Sequence, residues 1–303
     1  MNNYKNVLVF GGTGFVGTSV VQNLVEKGFN PILVTRKSST FNKSIRQVEG
    51  SLNDLPNLEL RIKPLQPDCI IYLIGIIKEN PKNKITFNTL HFEWVARTCK
   101  LAQNLGINRI LFMSANGAYE NGTQYQKSKF YGESELKKTK LNWTIFRPSI
   151  IADFDNKNYN FFEVLASQVK FPVVPVFGNG AYKMTPVARD DVAKIFVQSI
   201  NSEKTFRKMY GIGGAENLTY NDMLIRMAQS VHKHTLLLHI PLNISKIAIN
   251  HFQKLPFFPI TLDQLTMLTE GNVVTDNKIW KDLSMRPTPI DSIFSKYEQK
   301  NSK

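Results

Sequence analysis

A chain of 303 residues with 42% hydrophobic, 11% aromatic and 20% charged residues can bury one large core, or a main domain plus a small one, and is not a disordered polypeptide. Its 17 Gly and 14 Pro follow no collagen or linker period, and no tandem repeat occurs at solenoid spacing, which excludes fibrous and array architectures. The net charge of +14 could mark an anionic partner, but the lysines are scattered over every expected surface, as compositional bias would leave them.

Two cysteines, Cys69 in an apolar run and Cys99 in a helical pattern, suit neither a disulfide framework nor a four-ligand zinc site and are expected as reduced buried thiols. MNNYKNVLVFGG passes straight into a strand and a glycine turn, so no secretory leader is expected. The longest uncharged apolar runs, such as CIIYLIGII at 69–77, reach about half of the ~20 residues of a membrane span. A cytoplasmic location is expected, with peripheral attachment at the inner face of a membrane as its variant.

In chain order, KNVLVF (5–10) reads as a strand ending at Gly11, followed by a helix in which Val16, Val20, Val21, Leu24 and Val25 recur at near 3.6 spacing. PILVT (31–35) is a second strand. The continuous hydrophobicity of PDCIIYLIGII suits a parallel strand covered on both faces. Phe87 to Leu105 supplies a crossover helix with Leu90, Trp94, Val95, Thr98, Leu101, Ala102 and Leu105 on one face and Gly106 as its stop. RILFMSA (109–115), a helix from about Tyr125 to Lys138, the strand LNWTIFRPSII (141–151) and a helix over Asp190 to Ile200 continue the alternation.

The pattern loosens past residue 152. There MYGIGG gives a short strand, and Thr219 or Asn221 caps a helix with Tyr220, Met223, Leu224 and Met227 on its apolar side. Pro186-Val187 is expected to begin the last sheet element, with Asp190-Asp191 capping the next helix and Gly178 and Gly180 in a turn. The expected fold is α/β, a doubly wound parallel sheet of Rossmann type. It occupies 1–152, with last sheet elements at about 185–212, and a smaller C-terminal lobe occupies 153–303.

Gly11-Gly12-Thr13-Gly14-Phe15-Val16-Gly17 follows the first strand and opens the first helix, the setting in which a glycine pattern becomes a dinucleotide site. Gly11 permits the sharp turn, Gly14 lets backbone approach a pyrophosphate, and Gly17 lets the helix pack close. The free N–H groups of this stretch, Thr13, Phe15 and Val16 included, are expected to face the anion. The second strand ends in Thr35-Arg36-Lys37-Ser38, with no carboxylate for a ribose diol. Arg36 can stack on adenine and, with Lys37, pair with a 2′-phosphate, so NADP(H) is favoured and NAD(H) is the alternative; as solvated surface cations, both would be silent.

Four motifs in order, GGTGFVG, RILFMSA, Tyr125-Gln126-Lys127-Ser128-Lys129 and Arg147-Pro148-Ser149, resemble the short-chain dehydrogenase/reductase superfamily in its extended and atypical branches. Residues i and i+4 share a helix face, so Tyr125 and Lys129 can address one ligand. The resemblance makes them a catalytic pair in which Lys129 contacts the nicotinamide ribose and lowers the Tyr125 pKa for acid/base work. It also places Ser114 and Pro148 beside the cofactor and puts the catalytic hydroxyl position on Asn116. An amide can donate to a carbonyl but cannot relay a proton.

Further likeness, in IIYLIG, WVARTCKLAQNLGINRILFMSA, YQKSKFYGE, FRPSII, FGNGAYKMTPVARDDVAK and LPFFPITLDQLTML, is to the nucleotide-binding accessory subunits of respiratory complex I and their bacterial relatives, related also to proteins linked with quinone biosynthesis. It implies a cofactor held mainly for structure or sensing. The alternative is an active reductase, epimerase or dehydratase using Tyr125 and Lys129 on a small or quinone-like substrate. RNA binding lacks an aromatic recognition motif, so no specific nucleic acid is expected.

No acidic residue lies between Asp222 and Asp263, while the segment 235–260 combines leucine and isoleucine with Lys246, Lys254, Phe252, Phe257 and Phe258. It is either the apolar face of a packed lobe or a contact with an anionic membrane or a respiratory complex. His232, His234, His239 and His251 show no ligand spacing, so no metal is expected. The tail 296–303 is expected to fray.

Overall fold

The computed structural model describes residues 3–36, 44–154, 160–253 and 260–301. Lys37, Ser38, Lys254, Phe257 and Phe258 lie outside them. The chain forms two compact units. The first comprises Met1–Pro148, Arg189–Ile212 and Asp276–Met285, and the second Ser149–Ala188, Gly213–Thr275 and Arg286–Lys303.

In the first unit β1 (Asn6–Phe10) has four consecutive buried residues, as a central parallel strand covered on both faces requires. The helix α1 (Phe15–Glu26) turns Val16, Val20, Val21 and Leu24 inward. Next come β2 (Asn30–Thr35), β3 (Arg46–Glu49) and α2 (Leu55–Ile62), whose first turn is capped by the Asp54 carboxylate. Then β4 (Cys69–Tyr72) leads to a π-helical turn, Asn88–Glu93, that runs into α3 (Trp94–Leu105), and Gly106 ends it at φ 70°. β5 (Arg109–Met113), α4 (Gln124–Lys137) and β6 (Asn142–Pro148) complete the unbroken stretch.

The chain then enters the second unit as β7 (Ile151–Ala152), α5 (Phe161–Gln168), β8 (Val173–Phe177), β9 (Lys183–Met184) and β10 (Val187–Ala188). It returns to the first as α6 (Arg189–Ser199) and β11 (Lys208–Ile212). The second unit resumes with β12 (Leu218–Thr219), α7 (Tyr220–Gln229), β13 (Leu236–Ile240), α8 (Leu242–Phe252) and α9 (Leu262–Glu270). Finally α10 (Lys278–Asp282) belongs to the first unit and α11 (Ile290–Asn301) to the second.

The large sheet has seven parallel strands in the order β11-β6-β5-β4-β1-β2-β3. Its order reverses direction beside β1, the switch point at which doubly wound sheets bind ligands outside the carboxyl ends of their strands. Leu8, Phe10, Ile70, Tyr72, Ile110, Phe112 and Ile145 form much of its core.

Three expectations need correction. Pro186-Val187 does not begin the last element of the large sheet: Val187 pairs with Ile151 in a separate two-stranded ladder, and the outer strand is β11 beside β6. Residues 296–301 are helical rather than frayed, because Ile290, Ile293, Phe294 and Tyr297 bury one stripe of α11, and 302–303 lie outside the described residues. The run at 69–77 is also shorter as a strand than its hydrophobicity suggests, since β4 stops at Tyr72.

Candidate cofactor site

Gly11 sits at φ +80°, a conformation that side chains avoid, and a Cβ there would stand 3.0 Å from the Ile74 nitrogen. A Cβ on Gly17 would overlap the Gly11 carbonyl oxygen and reach 2.7 Å from the Gly12 Cα. The third glycine therefore lets α1 press on the turn itself. Gly14 is the N-cap of α1, with no side chain capping the helix and no acidic residue in its first turn, so its leading amides and positive dipole end are left for an anion. Thr13 is exposed, whereas the Val16 side chain is buried, which leaves Val16 only its backbone to offer. Arg189 donates to the Phe15 carbonyl at 3.2 Å and lies over the Phe15 ring at 5.1 Å, adding a cation beside the helix start.

At the end of β2, Arg36 is exposed and lines a cavity of about 390 Å³ together with Glu49, Ser51, Asp54 and Arg61. Thr35 is in register with Glu49 on β3, so an acid absent from the end of β2 is supplied by the neighbouring strand. The Thr35 hydroxyl is buried and has no hydrogen-bond partner among the described residues. Asp54 is occupied in capping α2, while Arg61 donates to the Glu49 carbonyl at 3.0 Å.

Tyr125 and Lys129 lie one turn apart on α4, which opens with a capping box between Thr123 and Gln126. Lys129 is buried and donates to the Met113 carbonyl at 3.2 Å, and its ammonium stands 5.7 Å from the Phe112 ring centroid. Burial lowers its pKa to about 8, against a smaller opposing pull from Glu133. Burial pushes the Tyr125 phenol up to about 12, and its hydroxyl makes no hydrogen bond to the described residues.

His91, on the π-helical turn, ties this pair to the loop after β4. Its Nε2 accepts the Ile76 N–H at 3.1 Å, so the ring proton sits on Nδ1 and goes to Ser128 Oγ at 2.9 Å; that hydroxyl in turn donates to the Tyr125 carbonyl at 2.7 Å. Burial and the nearby Lys129 hold His91 well below the usual imidazole range, hence neutral. The ring meets Tyr125 edge-on at 5.4 Å and stacks on Phe87 at 5.6 Å. A Cβ on Gly75 would stand 3.2 Å from the Lys129 ammonium, so the loop closes directly against it.

Ser114, just past β5, donates its hydroxyl to Glu133 Oε1 at 2.5 Å. Glu133 is fully buried and receives both Arg147 Nε (2.7 Å) and a terminal Arg147 nitrogen (2.6 Å), a fork-on-carboxylate pair. Asn116 donates its backbone N–H to the Pro148 carbonyl at 2.9 Å, which brings the ends of β5 and β6 together.

The residues read from the sequence thus group at the carboxyl ends of the strands: the glycine turn after β1, Arg36 after β2, Ser114 and Asn116 after β5, Tyr125 and Lys129 on α4, and Pro148 ending β6. A family model described as NAD(P)H-binding matches residues 11–203, more than half of the chain. The chain belongs to that NAD(P)H-binding family. It is 26% identical over 301 residues to the mitochondrial NADH dehydrogenase [ubiquinone] 1 alpha subcomplex subunit 9 of Arabidopsis thaliana, a match covering 92% of this chain and 73% of that protein. It is 25% identical over 287 residues to the chloroplastic divinyl chlorophyllide a 8-vinyl-reductase of Cucumis sativus, covering 85% of this chain and 65% of the reductase. Among solved structures it resembles the UDP-glucose 4-epimerase of Thermotoga maritima, with TM-score 0.76, 18% identity, 98% of this chain and 100% of the epimerase covered. The chain has the fold of that epimerase.

The residues present fit the dinucleotide this family binds. The uncapped start of α1, the glycine cradle that a Cβ would fill and the orphaned Thr35 hydroxyl all await a polar ligand. Sequence reasoning passed over His91, Glu133, Arg147 and Arg189 as parts of this region. A signal existed for Glu133, which continues the i+4 series of Tyr125 and Lys129 on one face of α4.

Proposed function

We propose that the chain binds NADP(H) across the carboxyl ends of β1, β2, β4 and β5 and keeps it mainly as a structural or sensing element, in a setting linked to respiratory or quinone metabolism. The single observation behind this reading is the state of the hydroxyls. The Ser114 hydroxyl donates its hydrogen bond to buried Glu133, and position 116 carries an amide, so Tyr125 has no hydroxyl relay of the family kind. The resemblance to a subunit of the mitochondrial NADH dehydrogenase supports the setting.

In this reading the leading amides of α1, from Phe15 through Val16 to Gly17, bind the pyrophosphate, with Gly11, Thr13 and Gly14, whose own amide donates to the Gly11 carbonyl, shaping the turn and Arg189 adding charge. Arg36, with Lys37, holds the adenosine end and its 2′-phosphate. Lys129 holds the nicotinamide ribose, Tyr125 covers the ring, and Ser114 and Pro148 wall the pocket. When bound, the nicotinamide would supply hydride transfer.

A second reading, an active reductase, epimerase or dehydratase, is favoured by the one-turn spacing of Tyr125 and Lys129 and by the unengaged Tyr125 hydroxyl. There Tyr125 would give or take a proton at its phenol, Lys129 would keep that proton mobile, and Asn116 would hold a substrate carbonyl by its amide.

Natively purified protein, released nucleotide identified by mass spectrometry, and NADPH oxidation assayed with quinones and enones distinguish the two. A near-stoichiometric NADP(H) without turnover is expected. Turnover that Tyr125→Phe abolishes establishes the second reading, and failure to bind either coenzyme overturns both.

A further inference from the structure

The second unit leaves an apolar surface in water that the cofactor reading does not use. β13 pairs in parallel with β8, with Leu236 opposite Val173 and Leu238 opposite Pro175. Val174 and Val176 point into the core, so by the two-residue period Val173 and Pro175 point away from it, and their register partners Leu236 and Leu238 point with them. Leu236 is 67% exposed and Leu238 54%; Phe171, two residues before Val173, is 65% exposed. A strand pair covered on one side ordinarily turns polar residues outward. This one turns apolar residues outward.

Helix α8 repeats the pattern. Ser245 and Ile249 face inward, while Ile244 and Ile247, one turn apart, are 58% and 63% exposed. The segment that carries β13 and α8 is basic only, the nearest acids being Glu298, which pairs with His232, and those of α9. No Asp or Glu occurs from Met223 to Leu262, and Lys170, Lys233 and Lys246 are exposed and form no ion pair among the described residues. Exposed aliphatic side chains interspersed with unpaired cations are complementary to an anionic, hydrocarbon-filled surface. No helix among the described residues is long and apolar enough to cross a membrane, so contact would be from one side.

We propose that the outward face of the β8–β13 pair and the outer stripe of α8 dock this protein on an anionic lipid bilayer. Insertion of Leu236, Leu238, Ile244 and Ile247 at the headgroup boundary supplies apolar burial, and Lys170, Lys233 and Lys246 meet lipid phosphates. The contact needs neither NADP(H) nor turnover.

The test is co-sedimentation of the full chain with phosphatidylcholine vesicles and with vesicles containing about one third phosphatidylglycerol. Binding is expected to the anionic vesicles alone and to weaken with salt. The Leu236→Ser/Leu238→Ser and Ile244→Ser/Ile247→Ser double variants are each expected to lower the binding constant about ten-fold or more, from lost apolar burial. Both pairs are exposed, so unchanged melting temperature and NADPH affinity confirm folding and keep this outcome separate from that of the cofactor reading. Equal binding to both vesicle types, or vesicle binding unaffected by both double variants, overturns the proposal. A wild-type dimer that either double variant converts to monomer also overturns it, by assigning the face to a second copy of the chain.

Discussion

The Ser114 hydroxyl and the Glu133 carboxylate are joined at 2.5 Å in a buried site, and Arg147 closes the same carboxylate from the other side. Removing Glu133 leaves a guanidinium and a hydroxyl without their acceptor. Glu133→Ala is therefore expected to cost about 3–5 kcal/mol of stability. Ser114→Ala, which leaves the Arg147 fork intact, is expected to cost about 1–2 kcal/mol. Chemical denaturation of the two variants checks the ranking. Equal losses would show that the hydroxyl, not the ion pair, dominates.

Lys129 makes a pH-dependent prediction. Burial holds its folded pKa at about 8, below the 10.5 of the unfolded chain. Between these values the unfolded chain binds the extra proton, so this group's contribution raises stability as pH climbs from 8 to 10.5, and its burial penalty is fully present below 8. Lys129→Met is expected to melt above the wild type at pH 7, with the gap closing toward pH 10.5. The same variant is expected to bind NADPH about ten-fold more weakly at pH 7, as loss of a charge-assisted hydrogen bond would give. In the wild type the affinity falls as pH rises through about 8, where free Lys129 loses its proton. Scanning calorimetry and fluorescence titration across pH read both effects.

The first half of the fold was legible because its strands are continuous apolar runs and its crossover helices carry a clean 3.6 period, as in VLVF and the Trp94–Leu105 face. β3 and α2 were not. RQVE has one buried residue and becomes a strand by pairing with β2, and α2 is a short helix in a mostly polar stretch. The glycine turn and the Tyr125/Lys129 spacing were readable because they are local in sequence. Glu49, His91 and Arg189 reach the site from β3, the π-helical turn and α6. Such long-range meetings leave no local pattern to find.

Arg36 and Glu49 bring opposite charges to one cavity. A guanidinium favours a 2′-phosphate, and a carboxylate favours a ribose diol and repels the phosphate. Arg36→Ala is expected to weaken NADPH binding about ten-fold and NADH binding less than about three-fold. Glu49→Gln is expected to tighten NADPH several-fold and weaken NADH. Calorimetric titration of both coenzymes into both variants separates the contributions. A wild type that binds NADH more tightly than NADPH would assign the cavity to Glu49.

Gly17 tests the turn without touching any charge. An added Cβ meets the Gly11 carbonyl and the Gly12 backbone, neither of which can swing aside as a flexible side chain would, so α1 must lift from the turn. The leading amides would then lose their common aim at the pyrophosphate. Gly17→Ala is expected to lower stability by about 2–4 kcal/mol through overpacking. It is also expected to weaken NADPH and NADH equally, about a hundred-fold or more, because the cradle serves the part the two coenzymes share. Gly28→Ala is the control: unlike Gly17, Gly28 lies at positive φ, 75°, but a Cβ added there meets nothing within 4 Å. That variant should pay only the backbone strain and keep both affinities. Parallel titrations of the two variants decide the point, and unchanged coenzyme binding by Gly17→Ala would remove the turn from the site.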